Sequence, residues 1–95
     1  MNKAPSIFTA NHGFVEERDC LDGKQWLFRY PNGYGASVVR HRYSYGGTVG
    51  FFELAVIRWE KDTFDLVYST PITKDVLGWQ TGADILATLD RIAAL

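Results

Sequence analysis

The sequence predicts an α+β domain, in which an antiparallel meander of about four strands carries a C-terminal amphipathic helix on one face. Three observations support this class. Residues 24–30 alternate between two sets of side chains, as a strand with two distinct faces does. Apart from Glu53 and Arg58, residues 50–59 are apolar on both faces, which is typical of a central strand. Residues 82–95 place apolar side chains at helical spacing along one stripe.

The first 22 residues give weak local signals within what we predict to be a single domain spanning residues 1–95. Ile7 and Phe8 fit either a segment docked on the core or a short edge strand. Residues 14–21 carry apolar side chains at both ends of a charged centre, which fits one or two helical turns and equally a strand. The sequence leaves both alternatives open.

The Pro-Asn-Gly tripeptide at residues 31–33 predicts a three-residue hairpin loop between strands at residues 24–30 and 34–42. Proline presets φ for a turn, and glycine takes the left-handed conformation that closes a loop of this length. With Tyr30 opposite Tyr34, the large side chains of both strands share one face. This register pairs Phe28 with Ala36 and Trp26 with Val38.

Two further strands complete the predicted sheet, which spans residues 24–69. Residues 50–59 form the third strand. Residues 64–69 place Phe64, Leu66 and Tyr68 on one face and form the fourth strand. Residues 74–78 fit a single helical turn before Trp79.

The C-terminal helix is predicted over residues 81–94. Thr81 is placed as its N-cap, and Asp84 three residues later is a near match to a capping box. The negative charge of Asp84 suits a helix N-terminus, and Arg91 suits the opposite end. The apolar stripe consists of Ile85, Leu86, Leu89, Ile92 and Ala93.

Composition argues against several classes of protein. The chain has 95 residues and a formal net charge of −1, whereas a dedicated DNA-binding module is normally clearly basic. Its single cysteine, Cys20, cannot form an intrachain disulfide, which favours a reducing compartment. No window approaches the roughly 18 apolar residues of a membrane-spanning helix, and the N-terminal residues lack the apolar run of a secretory signal. We therefore expect a cytoplasmic protein without a membrane anchor.

The sequence contains no recognisable catalytic motif. Only Cys20, His12, His41 and Glu53 could serve as nucleophile, base or orienting group, and none of them stands at a known spacing. The chain has no H-x-x-x-H, C-x-x-C or glycine-rich phosphate motif, and two histidines alone do not complete a zinc site. We therefore predict no enzymatic activity, no cofactor and no metal site.

Glu53 is a charged residue inside the most apolar predicted strand. If the second and third strands pair around the glycine-rich segment that joins them, Arg40 or Arg42 lies near its carboxylate. A cross-strand ion pair is then the first expectation. The alternative is a polar group that lines a ligand pocket.

The main binding candidate is the segment at residues 40–47. Its candidate side chains are Arg40, His41, Arg42, Tyr43 and Tyr45. Arginine holds phosphate or carboxylate groups through forked hydrogen bonds, and tyrosine stacks on nucleobases. Both residue types are also enriched in protein–protein hot spots. A solvated, flexible loop without a ligand is the alternative.

Four runs of the sequence resemble a known family. They are FRYPNGYGASVV (28–39), SYGG (44–47), FELAV (52–56) and TPITKDVLGW (70–79). Together they resemble a family of small uncharacterised proteins encoded by tailed phages and prophages, and the similarity extends from Trp26 to the end of the chain. The resemblance implies no established activity and no catalytic residues. It implies a phage accessory protein that binds a host or defence protein.

Two functions are therefore expected. The first is that of a non-enzymatic phage or prophage accessory protein, which acts by protein–protein interaction through residues 34–47 with Trp79 at the edge. The second is binding of single-stranded nucleic acid or a nucleotide through residues 40–47. Self-association through a sheet edge or an open face is compatible with both. A phage-encoded protein of this kind would act in the host cytosol.

Overall fold

A computed structural model of the protein describes residues 6–95. The elements are α1 (Ser6–Thr9), β1 (Phe14–Cys20), β2 (Gly23–Arg29), β3 (Tyr34–Arg40), a 3-10 helix (Gly47–Val49), β4 (Phe52–Glu60), β5 (Thr63–Leu66), β6 (Leu77–Gln80) and α2 (Gly82–Ala93). Strands β1 to β5 form an antiparallel meander, and β6 pairs with β4. The α+β class, the meander and the C-terminal helix are therefore confirmed, but the described sheet has six strands rather than four.

The two additional strands lie where the local sequence signals are weak. Within the segment at residues 14–21, Phe14–Cys20 is a strand, because it pairs with β2 in antiparallel register. The helical turn expected at residues 74–78 is wrong, since Leu77–Gln80 forms β6. Strands β3 and β5 both end earlier than predicted, at Arg40 and Leu66.

The hairpin register between β2 and β3 is confirmed. The Tyr30 amide donates to the Tyr34 carbonyl at 2.9 Å, and the Gly33 amide donates to the Tyr30 carbonyl at 2.9 Å. Gly33 has a φ of 87°, the left-handed conformation that the three-residue loop requires. The pairs along the strands include Trp26 with Val38 and Phe28 with Ala36.

The core lies between the sheet and the two helices. Phe8 of α1 is fully buried, and its ring centroid lies 5.3 Å from that of Trp26 and 5.0 Å from that of Phe52. Of the two alternatives left open for this segment, docking on the core is therefore correct. The other members of the core cluster are Phe28, Tyr30, Ala36, Val38, Leu54, Val56, Ile85, Leu89 and Ile92.

Among residues 6–95 no helix covers the opposite face of the sheet, yet the centre of this face is buried. Leu27 and Ile57 are fully buried there, and small residues lie between them. The Trp59 indole extends across this face and donates to the Phe28 carbonyl at 2.9 Å, while the Arg29 guanidinium lies 5.2 Å from its ring centroid. Long side chains from neighbouring strands thus shield part of this face.

Strands β5 and β6 are two parts of one interrupted edge. Both pair antiparallel with β4, β5 along its C-terminal half and β6 along its N-terminal half. The pairing continues past β5, because the Val67 amide donates to the Val56 carbonyl at 2.9 Å. The chain then leaves the edge at residues 68–76 and returns as β6. This detour determines where Trp79 emerges.

The ends of α2 are both held by side chains. At its N-terminus the Thr81 hydroxyl accepts from the Asp84 amide at 3.1 Å, and the Asp84 carboxylate accepts from the Thr81 amide at 2.9 Å. The capping box is therefore confirmed, and these hydrogen bonds lower the pKa of Asp84. At the C-terminus, the Asn32 amide group donates to the carbonyls of Ile92 and Ala93 at 2.9 and 3.3 Å.

Replacing Asn32 tests this contact between the hairpin loop and the helix. We expect Asn32→Ala to lower the free energy of unfolding by about 1–2 kcal/mol, because helix carbonyls lose their donor. Asn32→Asp keeps the acceptor that binds the Tyr34 amide but places a negative charge beside the negative end of the helix dipole. It should therefore destabilise at least as much. Urea unfolding of both variants checks this, and an unchanged Asn32→Asp midpoint would contradict it.

Candidate functional site

The loop that joins β3 to β4, residues 41–51, is built around the buried side chain of Ser44. Its hydroxyl accepts from the His41 amide at 3.0 Å and donates to the His41 carbonyl at 2.8 Å. The Gly47 amide donates to the Ser44 carbonyl at 3.0 Å, and the 3-10 helix follows. A glycine-rich sequence is compatible with a flexible connection, whereas hydrogen bonds within this loop hold it in a defined path.

Two carboxylates from neighbouring strands and turns bind the backbone of the joining loop. The Asp22 carboxylate accepts from the Arg42 amide at 3.0 Å, and the Glu53 carboxylate accepts from the Tyr45 amide at 2.8 Å. Among residues 6–95, Glu53 forms no ion pair with Arg40 or Arg42, so the expected ion pair is wrong. Glu53 lies opposite Val39 across β3, and its carboxylate instead positions the loop.

A bulge in β6 brings Trp79 next to Tyr45. Gln80 pairs with Phe52, and Leu77 pairs with Leu54. Between these two pairs, Gly78 and Trp79 of β6 lie opposite a single residue of β4, Glu53, and so form a β-bulge. The Trp79 amide donates to the Tyr45 carbonyl at 3.1 Å, and the Tyr45 side chain lies against Gly78. The bulge thereby directs the Trp79 side chain to the same end of the sheet as the joining loop.

The backbone of Trp79 is strained. Its φ is 55°, a region that bulky side chains rarely adopt. Leu21 and Lys61 are the other non-glycine residues with positive φ in the described chain, and both occupy two-residue hairpin connections where this conformation is common. Of these three residues, Trp79 alone has a positive φ within a strand.

The three tryptophans differ in what their indole nitrogens bind. The Trp26 indole donates to Glu17 at 2.9 Å, and the Trp59 indole donates to the Phe28 carbonyl at 2.9 Å. Among residues 6–95 the Trp79 indole has no hydrogen-bond partner, and this side chain is 61% exposed. Its ring contacts only Phe51 among the aromatic side chains described, at 5.9 Å between centroids.

We define the aromatic surface as Tyr43, Tyr45 and Trp79. The two tyrosines are 69% and 61% exposed. The Arg42 guanidinium lies 5.0 Å from the Tyr43 ring centroid and extends the surface with a cation. Three of the five predicted binding side chains, Arg42, Tyr43 and Tyr45, are thus displayed to solvent.

Arg40 and His41 are used differently from the other candidates. The Arg40 guanidinium lies 4.9 Å from the Phe52 ring centroid on the helix side of the sheet, so it packs on the core. The His41 Nδ1 accepts from the Tyr43 amide at 3.1 Å. Both residues line an open recess of about 570 Å³ between the joining loop and the β1–β2 turn.

The recess carries charges of both signs. Its carboxylates are Asp19 and Asp22, and its cations include Lys24 and Arg42. The Lys24 ammonium donates to Asp19 at 2.6 Å, which lowers the pKa of Asp19 and raises the pKa of Lys24. Because these opposite charges lie close together, the recess has no uniform potential to attract an anion or a cation.

The Asp22 contact predicts a pH dependence of the loop. The hydrogen bond from the Arg42 amide lowers the pKa of Asp22 below its ordinary value of 3.8. A carboxyl with a depressed pKa stabilises the fold above that ordinary value and loses this contribution as pH falls through the lowered pKa. We therefore expect the Arg42 amide resonance to titrate below pH 3.8 and to lose protection from exchange there.

The matched control for this titration is Asp22→Asn, which keeps an oxygen acceptor but removes the ionisable group. The variant should show no titration of the Arg42 amide in the same pH range. A wild-type Arg42 amide that stays unchanged to the acid unfolding transition would contradict the assignment of Asp22.

The hairpin loop at residues 31–33 is distant from this site and is occupied by structural contacts. Tyr30 is buried, and its hydroxyl donates to Asn11 at 2.8 Å. Burial, together with the negative charge of Asp90, raises the pKa of Tyr30 to about 12. Tyr34 lies under the Arg58 guanidinium at 5.3 Å. This end of the hairpin therefore contributes to the fold rather than to the aromatic surface.

Sequence reasoning missed the role of Glu53 and the bulge at Gly78 and Trp79. The signal for Glu53 was present, because a lone carboxylate in an apolar strand needs a partner. Its partner is a backbone amide, and no residue type reveals such a donor. The described residues contain no group of histidine, cysteine or acidic side chains that could hold a metal ion. Within residues 6–95, no helix is long and apolar enough to cross a membrane.

The chain matches no protein-family model, no curated protein and no solved structure. The resemblance to small phage and prophage proteins therefore stays a prediction that rests on the four sequence runs.

Proposed function

We propose that the protein is a non-enzymatic accessory protein that binds another protein through the aromatic surface. The observation that carries this proposal is the pair formed by Tyr45 and Trp79. Both rings are exposed, and they are joined through the backbone hydrogen bond between the Trp79 amide and the Tyr45 carbonyl. Exposed tyrosine, tryptophan and arginine side chains are the residues enriched at the centres of protein interfaces.

The strained backbone of Trp79 supports a functional role for its side chain. A bulky residue with positive φ costs on the order of 1–3 kcal/mol, and such residues cluster at binding sites. A glycine at this position would remove the strain, so the tryptophan is not explained by stability of β6. Its burial does not explain it either, because the ring is mostly exposed.

The charges around the aromatic surface favour a protein over a nucleic acid. Asp19 and Asp22 lie in the recess beside Arg42, and the Arg40 guanidinium is packed against Phe52. Phosphate binding depends on several accessible cations without competing carboxylates. The nucleic-acid or nucleotide alternative is therefore the second proposal, and it uses Arg42 and the stacking faces of Tyr43 and Tyr45.

Three further parts of the proposal rest on the sequence alone. They are the origin in a phage or prophage, the action on a host or defence protein and the location in the host cytosol. Self-association is compatible with them, because the aromatic surface and the exposed β1 edge leave room for a second copy.

The proposal predicts loss of partner capture in two single variants. Tyr45→Ala and Trp79→Ala should each weaken capture of a partner from bacterial lysate by about 30-fold, since hot-spot residues contribute on the order of 2 kcal/mol. Tyr68→Ala is the matched control, because Tyr68 is an exposed tyrosine outside the joining loop and outside β6. Immobilised protein and quantitative mass spectrometry provide the measurement.

The same variants decide between the two functions. Capture that survives both substitutions would overturn the aromatic surface as the binding site. Fluorescence titration with single-stranded oligonucleotides provides the second arm. Binding that weakens steeply with added salt and is lost in Arg42→Ala would replace protein binding by the nucleic-acid alternative.

A further inference from the structure

We propose that the protein forms a two-fold symmetric dimer, in which β5 of one copy pairs antiparallel with β5 of a second copy. The two sheets then continue into one another across this edge. The inference goes beyond the proposed function, because β5 lies along the C-terminal half of β4, whereas Trp79 lies along the N-terminal half. It follows from the free backbone groups of β5, from the side chains beside them and from the charges along the strand.

β5 ends the meander, and alternate residues along it direct their backbone groups away from β4. The Val67 amide donates to the Val56 carbonyl, so residues 63, 65 and 67 bond to β4 in the register of this pair. The amides and carbonyls of Phe64 and Leu66 therefore point outward, and within residues 6–95 they have no hydrogen-bond partner. Such a row of unpaired groups is a template for another strand.

Apolar side chains accompany these free backbone groups. Leu66 is exposed, and so is Tyr68, which follows the strand. The Phe64 ring is half-buried against Trp59, at 5.0 Å between centroids. None of these residues belongs to the aromatic surface. A strand added at this edge would therefore gain main-chain hydrogen bonds and bury apolar side chains at the same time.

The strand at the other end of the meander, β1, leaves room for a second copy but has features that oppose pairing. Its residues 16–19 are all charged, and an irregularity after Phe14 interrupts its register with β2. Charged side chains and bulges are devices by which edge strands avoid association. The pairing of β5 with β4 is regular, and the single charged residue of β5, Asp65, lies opposite Arg58. Of these two edges, β5 is therefore the one open to a second strand.

The segment at residues 64–68 is complementary to itself in an antiparallel register with the two-fold axis at Leu66. Leu66 then lies opposite Leu66 of the second copy, and their outward amides and carbonyls form two hydrogen bonds across the axis. The same register places Phe64 opposite Tyr68 and Asp65 opposite Val67. An axis at Asp65 would instead place two carboxylates opposite each other, which is destabilising. The charge pattern thus favours the axis at Leu66.

The first test is the oligomeric state of the full chain, measured by analytical ultracentrifugation over a range of protein concentrations. We expect a monomer–dimer equilibrium. The dimer should appear at the higher concentrations, because a strand of four residues forms a small interface. A chain that stays monomeric up to about 1 mM would overturn the dimer.

Variants of Leu66 test whether the contact runs through the main chain. Leu66→Pro removes the outward amide hydrogen without breaking the ladder between β5 and β4, and we expect it to weaken the dimer at least about tenfold. Leu66→Ala is the matched control, since it keeps the amide and should weaken the dimer less. Leu66→Lys places like charges at the axis and should also weaken the dimer. Urea unfolding verifies that each variant is folded.

Cysteine variants in a Cys20→Ser background test the register. In Leu66→Cys the two Cα atoms would lie about 5.5 Å apart across the axis, and a short bismaleimide should join the two chains. Thr63→Cys is the control, because six residues separate its two copies along the strands, or about 20 Å. Equal cross-linking at both positions would overturn the pairing with its axis at Leu66.

The outcomes separate the dimer from the proposed function. Tyr45→Ala and Trp79→Ala should leave the dimer intact, and Leu66→Pro should retain capture of the lysate partner. A dimer that survives both Leu66→Pro and Leu66→Lys would overturn β5 as the interface. A monomeric chain that loses partner capture in Leu66→Pro would replace the second copy by a strand of a foreign protein at this edge.

Discussion

Phe8→Ala should lower the free energy of unfolding by about 3–5 kcal/mol, because it empties the centre of an aromatic cluster. The Phe8 ring is fully buried and makes edge contacts with Trp26, Phe28 and Phe52 at centroid distances of 5.0–6.1 Å. Truncation removes this contact area and leaves a cavity in the core between the sheet and α2. Urea or thermal unfolding of the full chain measures the loss.

The neighbouring Ile7→Ala variant is the matched control. Ile7 precedes Phe8 in the same short helix but is 42% exposed, so its truncation should cost at most about 1 kcal/mol. If the two variants unfolded at the same denaturant concentration, the docking of α1 on the core would be contradicted. The pair thus separates burial of one ring from the general effect of altering the N-terminal segment.

Gly47→Ala should disrupt the joining loop and abolish partner binding, at a cost of about 3 kcal/mol in stability. A Cβ at Gly47 would collide with the His41 carbonyl and the Ser44 hydroxyl. These two groups hold the loop together, so the collision cannot be relieved by turning a flexible side chain. We expect altered amide resonances throughout residues 41–51 and loss of the Trp79–Tyr45 hydrogen bond, measured by NMR and amide exchange.

Gly50→Ala provides the control in the same loop. Gly50 has a φ of 91°, so alanine there is strained. A Cβ added at this position would nevertheless meet no heavy atom of residues 6–95 within 4 Å beyond its chain neighbours. This variant should lose about 1–2 kcal/mol through backbone strain and retain the aromatic surface. Equal loss of partner binding in both variants would indicate that general destabilisation, not the path around Ser44, controls function.

The parts of the fold that short-range chemistry controls were predictable. The register of the first hairpin follows from the Pro-Asn-Gly loop, since proline and glycine restrict the backbone wherever they occur. The N-cap at Thr81 follows from its spacing to Asp84, and the apolar stripe of α2 follows from helical periodicity. In each case the residues that interact are close in sequence.

Other features depended on partners that are distant in sequence. β6 has only four residues. It can pair with the N-terminal half of β4 only because the chain of β5 leaves that edge of β4 after Val67. The partner of Glu53 is an amide of the joining loop, and the loop path depends on Ser44. Phe8 has no flanking pattern that distinguishes a docked ring from an edge strand.

The residues of the candidate site also divide into those that local sequence predicts and those that depend on distant partners. Arg42, Tyr43 and Tyr45 could be selected from residue type alone, because arginine and tyrosine in a glycine-rich loop are typical of binding surfaces. The packing of Arg40 on the Phe52 ring was not predicted, although strand alternation places Arg40 on the same face as Val38. From the sequence, Trp79 could be placed only at the edge of the predicted binding region at residues 34–47.

Local backbone preferences and side-chain periodicity act on neighbouring residues, and they are sufficient to specify the α+β class, the register of the hairpin and the capped C-terminal helix. The proximity of Tyr45 to Trp79, with Glu53 holding the loop beside them, emerges only when the chain is folded. The physical reason is that strand pairing along β4 and the bulge in β6 depend on non-local hydrogen bonds, whose partners are backbone groups that nearly every residue carries.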